Sequence, residues 1–130
     1  MRVLIVEANL SLGSLWARHL ERFGARVVLT QGQSDAVQAL QDQTFEIIVL
    51  NLQIGDGAAF AVSDFASFKQ PDARVIFVTN SRFFSDGSIF EFSPNACALV
   101  PGTTRPEDLA ALVEHHAAVG NTASRPCGAS

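Results

Sequence analysis

The segment FEIIVLNLQIGDG, residues 45–57, stays apolar from Ile47 to Leu50, meets Asn51, and breaks at Gly55 and Gly57. Apolar side chains on both sides of a pleat mean that both faces of the strand are covered. That is the condition of an inner strand in a parallel sheet packed between helices; a strand with one wet face would alternate with polar residues. This segment (strand 46–50) therefore selects a helix-covered sheet before anything else is read. It also puts one neutral amide, Asn51, where such a strand opens at its carboxyl end.

The rest of the chain alternates to match. RVLIV (2–6) reads as a strand, followed by a helix capped near Ser11 with Leu12, Leu15, Trp16, His19, Leu20 and Phe23 on one face. Gly24 closes it. ARVVLT (25–30) is a strand, and SDAVQALQDQ (34–43) a short helix with Ser34 as cap and Val37 and Leu40 inward. After the glycine turn, residues 58–69 are helical with Phe60, Phe65 and Phe68 as anchors, and 73–79 form a strand. Residues 81–95 read as a short helix interrupted by Gly87, and 96–100 as the last strand. A final helix starts with Thr104 and Glu107 as a capping box and Pro106 in its first turn. The Gly/Ser/Pro-rich residues 120–130 are expected to be a flexible tail or the start of a linker. Alternation over residues 2–119 gives one α/β domain, 1–119, with a doubly wound five-stranded parallel sheet and right-handed crossovers. Ligands of such sheets bind beyond the carboxyl ends of the strands, which selects Glu7, Ala8, Asn51, Thr79 and Val100.

Composition narrows what that crevice can do. No apolar run reaches the ~20 residues that span a bilayer, and the N-terminus lacks a secretory cleavage site, so a cytoplasmic protein is expected. Nine Lys plus Arg with a net charge of −4 and no basic cluster argue against direct nucleic-acid binding. Cys97 reads as a small buried hydrophobe and Cys127 as an exposed tail thiol. His19, His115 and His116 have no partner at metal-ligand spacing and are expected on solvated helix positions. VEANLSLG carries no G-x-G-x-x-G, and neither a Walker loop nor a nucleophile elbow is present. Ser11, Gly13 and Ser14 make only a thin flavin-type phosphate loop, interrupted by Leu10 and Leu12.

LIVEANL, IIVLNLQIGDG, VIFVTN and NACALVP, in that order over residues 2–119, resemble the receiver domain of bacterial two-component response regulators. The resemblance implies a flavodoxin-like (βα)5 sheet of strand order 2-1-3-4-5. In that family an Asp ending the third strand accepts a phosphoryl group from a histidine kinase. Two acidic residues after the first strand hold Mg²⁺ with it, a Thr or Ser contacts the phosphoryl group, and a Lys before a Pro pairs with it. Carried onto this sequence, the acidic pair becomes Glu7 and Ala8, the acceptor Asn51, the hydroxyl Thr79, and the Lys-Pro pair Val100 and Pro101. The backbone carbonyl that completes metal binding falls at Gln53, the switching aromatic at Cys97, and Gly55 stands where Pro is usual.

These departures set the functional expectation. Acyl-phosphate formation needs a carboxylate nucleophile, which the Asn51 amide does not supply. Mg²⁺ is held through carboxylates and phosphate oxygens, so Glu7 alone is not expected to retain it. Three carboxylates within ~4–5 Å repel by roughly 3–4 kcal/mol per pair at an effective dielectric of about 20. Losing two carboxylates and the Lys together leaves a nearly neutral, self-consistent pocket. Thr79 is then expected to satisfy local backbone, and Glu7 to be solvated or bonded to Asn51. Asp56, the nearby carboxylate after the third strand, is expected to point away.

The chain thus reads as a degenerate receiver (pseudo-receiver): not an enzyme, without cofactor, working as a phosphorylation-independent protein-interaction module in two-component signalling. A nucleotide- or flavin-binding domain on the same fold is the alternative. A histidine phosphotransfer protein using His19, His115 or His116 would be a helical bundle, which the strand content opposes. Phe83, Phe84, Ile89, Phe90 and Phe92 cannot all face the sheet from one helix, so either irregular packing buries all five or they leave a partly exposed patch of the aromatic kind enriched at interface cores. By resemblance, residues 83–119 form the partner or homodimer face, with Phe83, Phe84, Phe90 and Phe92 as its aromatic part.

Overall fold

A computed structural model describes residues 1–51, 58–79 and 96–123, with side chains through residue 117. The strands are β1 (Arg2–Val6), β2 (Arg26–Thr30), β3 (Ile47–Asn51), β4 (Arg74–Thr79) and β5 (Ala96–Pro101). The helices are α1 (Leu10–Glu21), α2 (Gln33–Asp42), α3 (Ala58–Lys69) and α4 (Pro106–Ala123). All four ladders are parallel, and the sheet order is β2-β1-β3-β4-β5. Segment 81–95 and its aromatic residues Phe83, Phe84, Ile89, Phe90 and Phe92 lie outside the described residues. So do Gln53, Gly55, Asp56 and Cys127.

The apolar strands split by parity into two cores, as a sheet covered on both faces requires. Leu4, Val6, Ile48, Leu50, Val75 and Phe77 pack with α2 and α3. Val3, Ile5, Ile47, Val49, Ile76 and Val78 pack with Trp16 and Leu20 of α1 and with Leu109, Ala110 and Val113 of α4. Both β3 and β4 are fully buried at these positions, which places them as the inner strands that their composition demands.

Several local expectations give way to simpler geometry. Asn9, not Ser11, caps α1: its side-chain oxygen accepts from the N–H of Leu12. Asn fits the cap because its short carbonyl reaches an otherwise unpaired donor of the first turn. Gly32 occupies the corresponding place before α2, with no side-chain cap, so Ser34 falls inside the helix. Gly24 follows α1 at φ +85°, a left-handed backbone that glycine takes without strain.

Phe23, expected on the inner face of α1, is 53% exposed, because the helix ends before reaching it. The sheet-facing side of α3 is Ala59, Val62, Ser63 and Ala66, while Phe68 is 85% exposed. Small residues let α3 lie close to the strands, and the larger Phe60 and Phe65 pack partly buried at its sides. The capping box before α4 does not form either. Thr104 donates its hydroxyl to the Pro101 carbonyl at 2.6 Å, and Arg105 leads into the helix with its guanidinium 3.1 Å from Asp108. This helix runs to Ala123, past the residue 119 limit read from the sequence.

Gln70 ties the ends of two helices together. Its side-chain amide donates to the carbonyls of Leu40 and Gln43 at 2.8 and 2.6 Å, and its carbonyl accepts from Phe45 N–H at 2.8 Å. That arrangement satisfies the C-terminal carbonyls of α2 and fixes the entry to β3.

Candidate functional site

Register builds the site at the carboxyl end of the sheet. Val6 pairs with Leu50, so the residues that follow, Glu7 and Asn51, emerge side by side. Parity gives both the same face, since residues 3, 5 and 47, 49 already point toward α1 and α4. Asn51 pairs with Val78, which pairs with Val100, so one row crosses the sheet as Glu7, Asn51, Val78 and Val100. That row contains one carboxylate, one amide and two valines.

Glu7 is 3% exposed, and both of its carboxylate oxygens are engaged. Asn51 Nδ2 donates to Oε2 at 2.5 Å, and the backbone N–H of Asn9 donates to Oε1 at 3.0 Å. Asn9 is the N-cap residue of α1, so the carboxylate meets the N-terminal end of that helix, and a Cβ on Gly13 would stand 3.5 Å from Glu7 Cβ. Negative charge is favoured at that helix end. Of the two expectations for Glu7, the Asn51-bonded form is the one present. Glu7 is the sole buried carboxylate among the described residues.

The remaining expected positions are distributed around this pair. Ala8 is exposed, and its carbonyl accepts from Gln31 Nε2 at 3.3 Å. Thr79 ends β4, is buried, and its carbonyl accepts from Gly102 N–H at 3.0 Å. Parity sets Thr79 on the α2/α3 face, with Val75 and Phe77, rather than on the face of Glu7 and Asn51. Val100 is half-buried against the α1/α4 core, and Pro101 is exposed opposite Thr79. Cys97 sits at an irregularity where β5 carries one residue more than β4; it is half-buried, with Sγ 3.6 Å from the Val75 carbonyl.

Sequence reasoning missed three contributors. Asn9 both caps α1 and donates to Glu7; Thr30 accepts from Glu7 N–H at 2.9 Å and gives its hydroxyl to the Ile5 carbonyl; Gln31 holds Ala8. An Asn directly before an amphipathic run was the available signal for the first. Gly13 is buried where α1 approaches the sheet: a Cβ there would lie 2.6 Å from Leu29 Cδ1, so a larger residue requires the Leu29 side chain to shift.

A hard divalent ion takes several oxygen ligands, usually more than one of them a carboxylate. Here one carboxylate has both oxygens turned to N–H donors, Ala8 offers a methyl group, and Asn51 turns its NH₂ toward Glu7. The donor set of the described residues does not fit Mg²⁺.

The histidines do not assemble into a site. His19 is half-buried, with Nδ1 3.0 Å from the Leu15 carbonyl and Nε2 3.9 Å from Glu107, rather than solvated. His115 is exposed and His116 half-buried, their rings edge to face at 5.2 Å. Burial, then the neighbouring His115 and Arg74, push the His116 pKa below its ordinary value.

No protein-family model matches the chain, and no curated protein matches it in sequence. Solved structures do. A CheY-like response regulator receiver domain protein from Methanospirillum hungatei JF-1 superposes with a TM-score of 0.82 at 18% identity, over 92% of this chain and 95% of that one. The BeF3-activated DrrB receiver domain gives 0.77 at 21% identity, over 88% and 95%. A response regulator from Burkholderia pseudomallei, solved with a phosphorylated aspartic acid, calcium ion and citrate, gives 0.76 at 20% identity, over 96% and 75%. At these identities the likeness is one of fold. The chain has the CheY-like, flavodoxin-like architecture of receiver domains. Among the described residues, no helix is long and apolar enough to cross a membrane.

Proposed function

We propose that this chain is a degenerate receiver: a cytoplasmic signalling module of the two-component type that recognises a protein partner without being phosphorylated, and that is not an enzyme. The observation that carries this reading is the bond from Asn51 Nδ2 to Glu7 Oε2. The end of β3 is where the fold presents its chemistry, and there an amide is turned toward the remaining carboxylate. An amide offers no anionic oxygen for acyl-phosphate formation, and Val100, on the same row, brings no cation to a phosphoryl group. With neither nucleophile nor counter-charge, the module works through its surface. Partner or homodimer contact through residues 83–119 belongs to this reading.

Incubation with acetyl phosphate and Mg²⁺, followed by intact-mass measurement, tests it. The expected spectrum shows the unmodified chain alone. A stable phosphoryl adduct, at Asn51, Asp56 or a histidine, contradicts the reading.

A further inference from the structure

We infer that the Asn51 amide is a built-in crosslink that holds the buried Glu7 carboxylate, and with it the β1–α1 loop, in one arrangement without a counter-cation. This deepens the reading above and rests on it for the crevice being a recognition surface rather than a reaction site.

A buried carboxylate is costly unless its charge is met. The ion pairs among the described residues join His19, Arg105, Glu107 and Asp108, and none includes Glu7. Its charge is met instead by two N–H groups, one of them on the N-cap residue of α1, at the helix end that favours negative charge. Charge-assisted bonds of this kind are about twice as strong as neutral ones.

The loop is bonded at every residue. Glu7 N–H goes to Thr30, the Ala8 carbonyl to Gln31, and the Asn9 side chain to Leu12. Those ties reach β2, the turn after it, and α1. The tie to β3 is Asn51, and it completes the enclosure of the carboxylate.

Side-chain chemistry at position 51 therefore matters in a specific way. Asn has the shape of Asp but presents donors. An acidic residue there would set two carboxylates face to face and make the loop depend on a cation. An apolar residue would leave Glu7 one bond short without creating a cation site. Asn51 is in this sense a positioning residue for Glu7, and the loop it holds is indifferent to divalent ions.

Thermal melts by circular dichroism test this on the purified chain and on Asn51→Asp and Asn51→Leu, each in chelator and in Mg²⁺. The native Tm is expected to be the same in both conditions. Asn51→Asp is expected to melt several degrees lower in chelator and to regain stability with Mg²⁺; Asn51→Leu is expected to melt lower in both. A native Tm that rises with Mg²⁺ overturns the inference, as does an Asn51→Asp variant that melts with the native chain in chelator. The native arm reads out even where a variant fails to fold. Neither outcome depends on the phosphoryl-adduct measurement, so failure of the crosslink and failure of the degenerate-receiver reading are separable.

Discussion

Val6 and Leu50 stand opposite each other in the β1–β3 ladder, and that register carries the next residues, Glu7 and Asn51, into contact. Two residues 44 positions apart in sequence thus meet at one hydrogen bond. On the proposed reading, this strand end serves structure rather than phosphoryl chemistry.

Glu7→Ala is expected to destabilise the fold by about 2–3 kcal/mol, because it strips the acceptor from the Asn9 N–H and the Asn51 amide together. Glu7→Gln keeps one acceptor and is expected to cost less. Urea unfolding at neutral pH measures both, with a lower midpoint and an unchanged slope.

Gln70→Ala removes three bonds that join α2, the entry to β3 and the residue after α3. The Gln43 carbonyl can turn to water, so the expected loss is about 1–3 kcal/mol rather than three full penalties. Gln70→Glu is expected to be worse, since a carboxylate would face the two carbonyls that the amide now satisfies. Denaturant melts of the two variants check the order.

How much of this was legible in the sequence differs by kind of signal. The apolar run of β3, Ile47 to Leu50, forced an inner, parallel, helix-covered position, and the structure places it there. Strand order came from the resemblance to receiver domains, since right-handed connections alone allow several orders. Helix ends were less legible, because a cap is decided by which residue happens to reach the free N–H groups. Asn9, two positions before Ser11, reaches them first. Of the Phe residues of α3, Phe60 and Phe65 pack against the core as expected, while Phe68 misled for a related reason. Hydrophobicity marked Phe60, Phe65 and Phe68 as anchors, but the close approach of α3 to the sheet demanded small side chains, and Phe68 was left outside. At the site, Asn51 and Glu7 were both picked out by position. Their direct bond was one of two options for Glu7, and register decided between them. Asn9 carried a cap signal before an amphipathic run, but Thr30 and Gln31 could not be read at all, since their roles depend on the loop's three-dimensional path.

Gly13→Val tests whether that glycine is there for packing. A Cβ at this position already presses on Leu29 Cδ1, and two further methyl groups would crowd Leu29 and Glu7 together. Overpacking of this kind costs about 1–3 kcal/mol. The expected variant is less stable than the native chain by that amount in urea, although valine is a better helix former than glycine. Equal or greater stability would show that the first turn of α1 has room to spare.

His116 sets a pH dependence. Its folded pKa lies below the ordinary 6.5, chiefly through burial, with His115 and Arg74 adding to it. The unfolded chain therefore binds this proton more readily, and stability falls as pH drops below 6.5 toward the folded value. Stability from this group is complete above that range. His116→Gln removes the titration, so the drop in Tm between pH 7.5 and pH 5, values chosen on the order of one unit either side of an unperturbed imidazole, is expected to shrink in the variant. An identical drop in both proteins would assign the dependence to other groups.

On the proposed reading, the end of β3 forms neither an acyl phosphate nor its mimic. Beryllofluoride binds as such a mimic where a carboxylate and a divalent ion are both in place, and ¹⁹F NMR distinguishes bound from free fluoride species. With the native chain, Mg²⁺ and beryllofluoride, free resonances alone are expected. A protein-bound resonance that disappears when Mg²⁺ is chelated would contradict it.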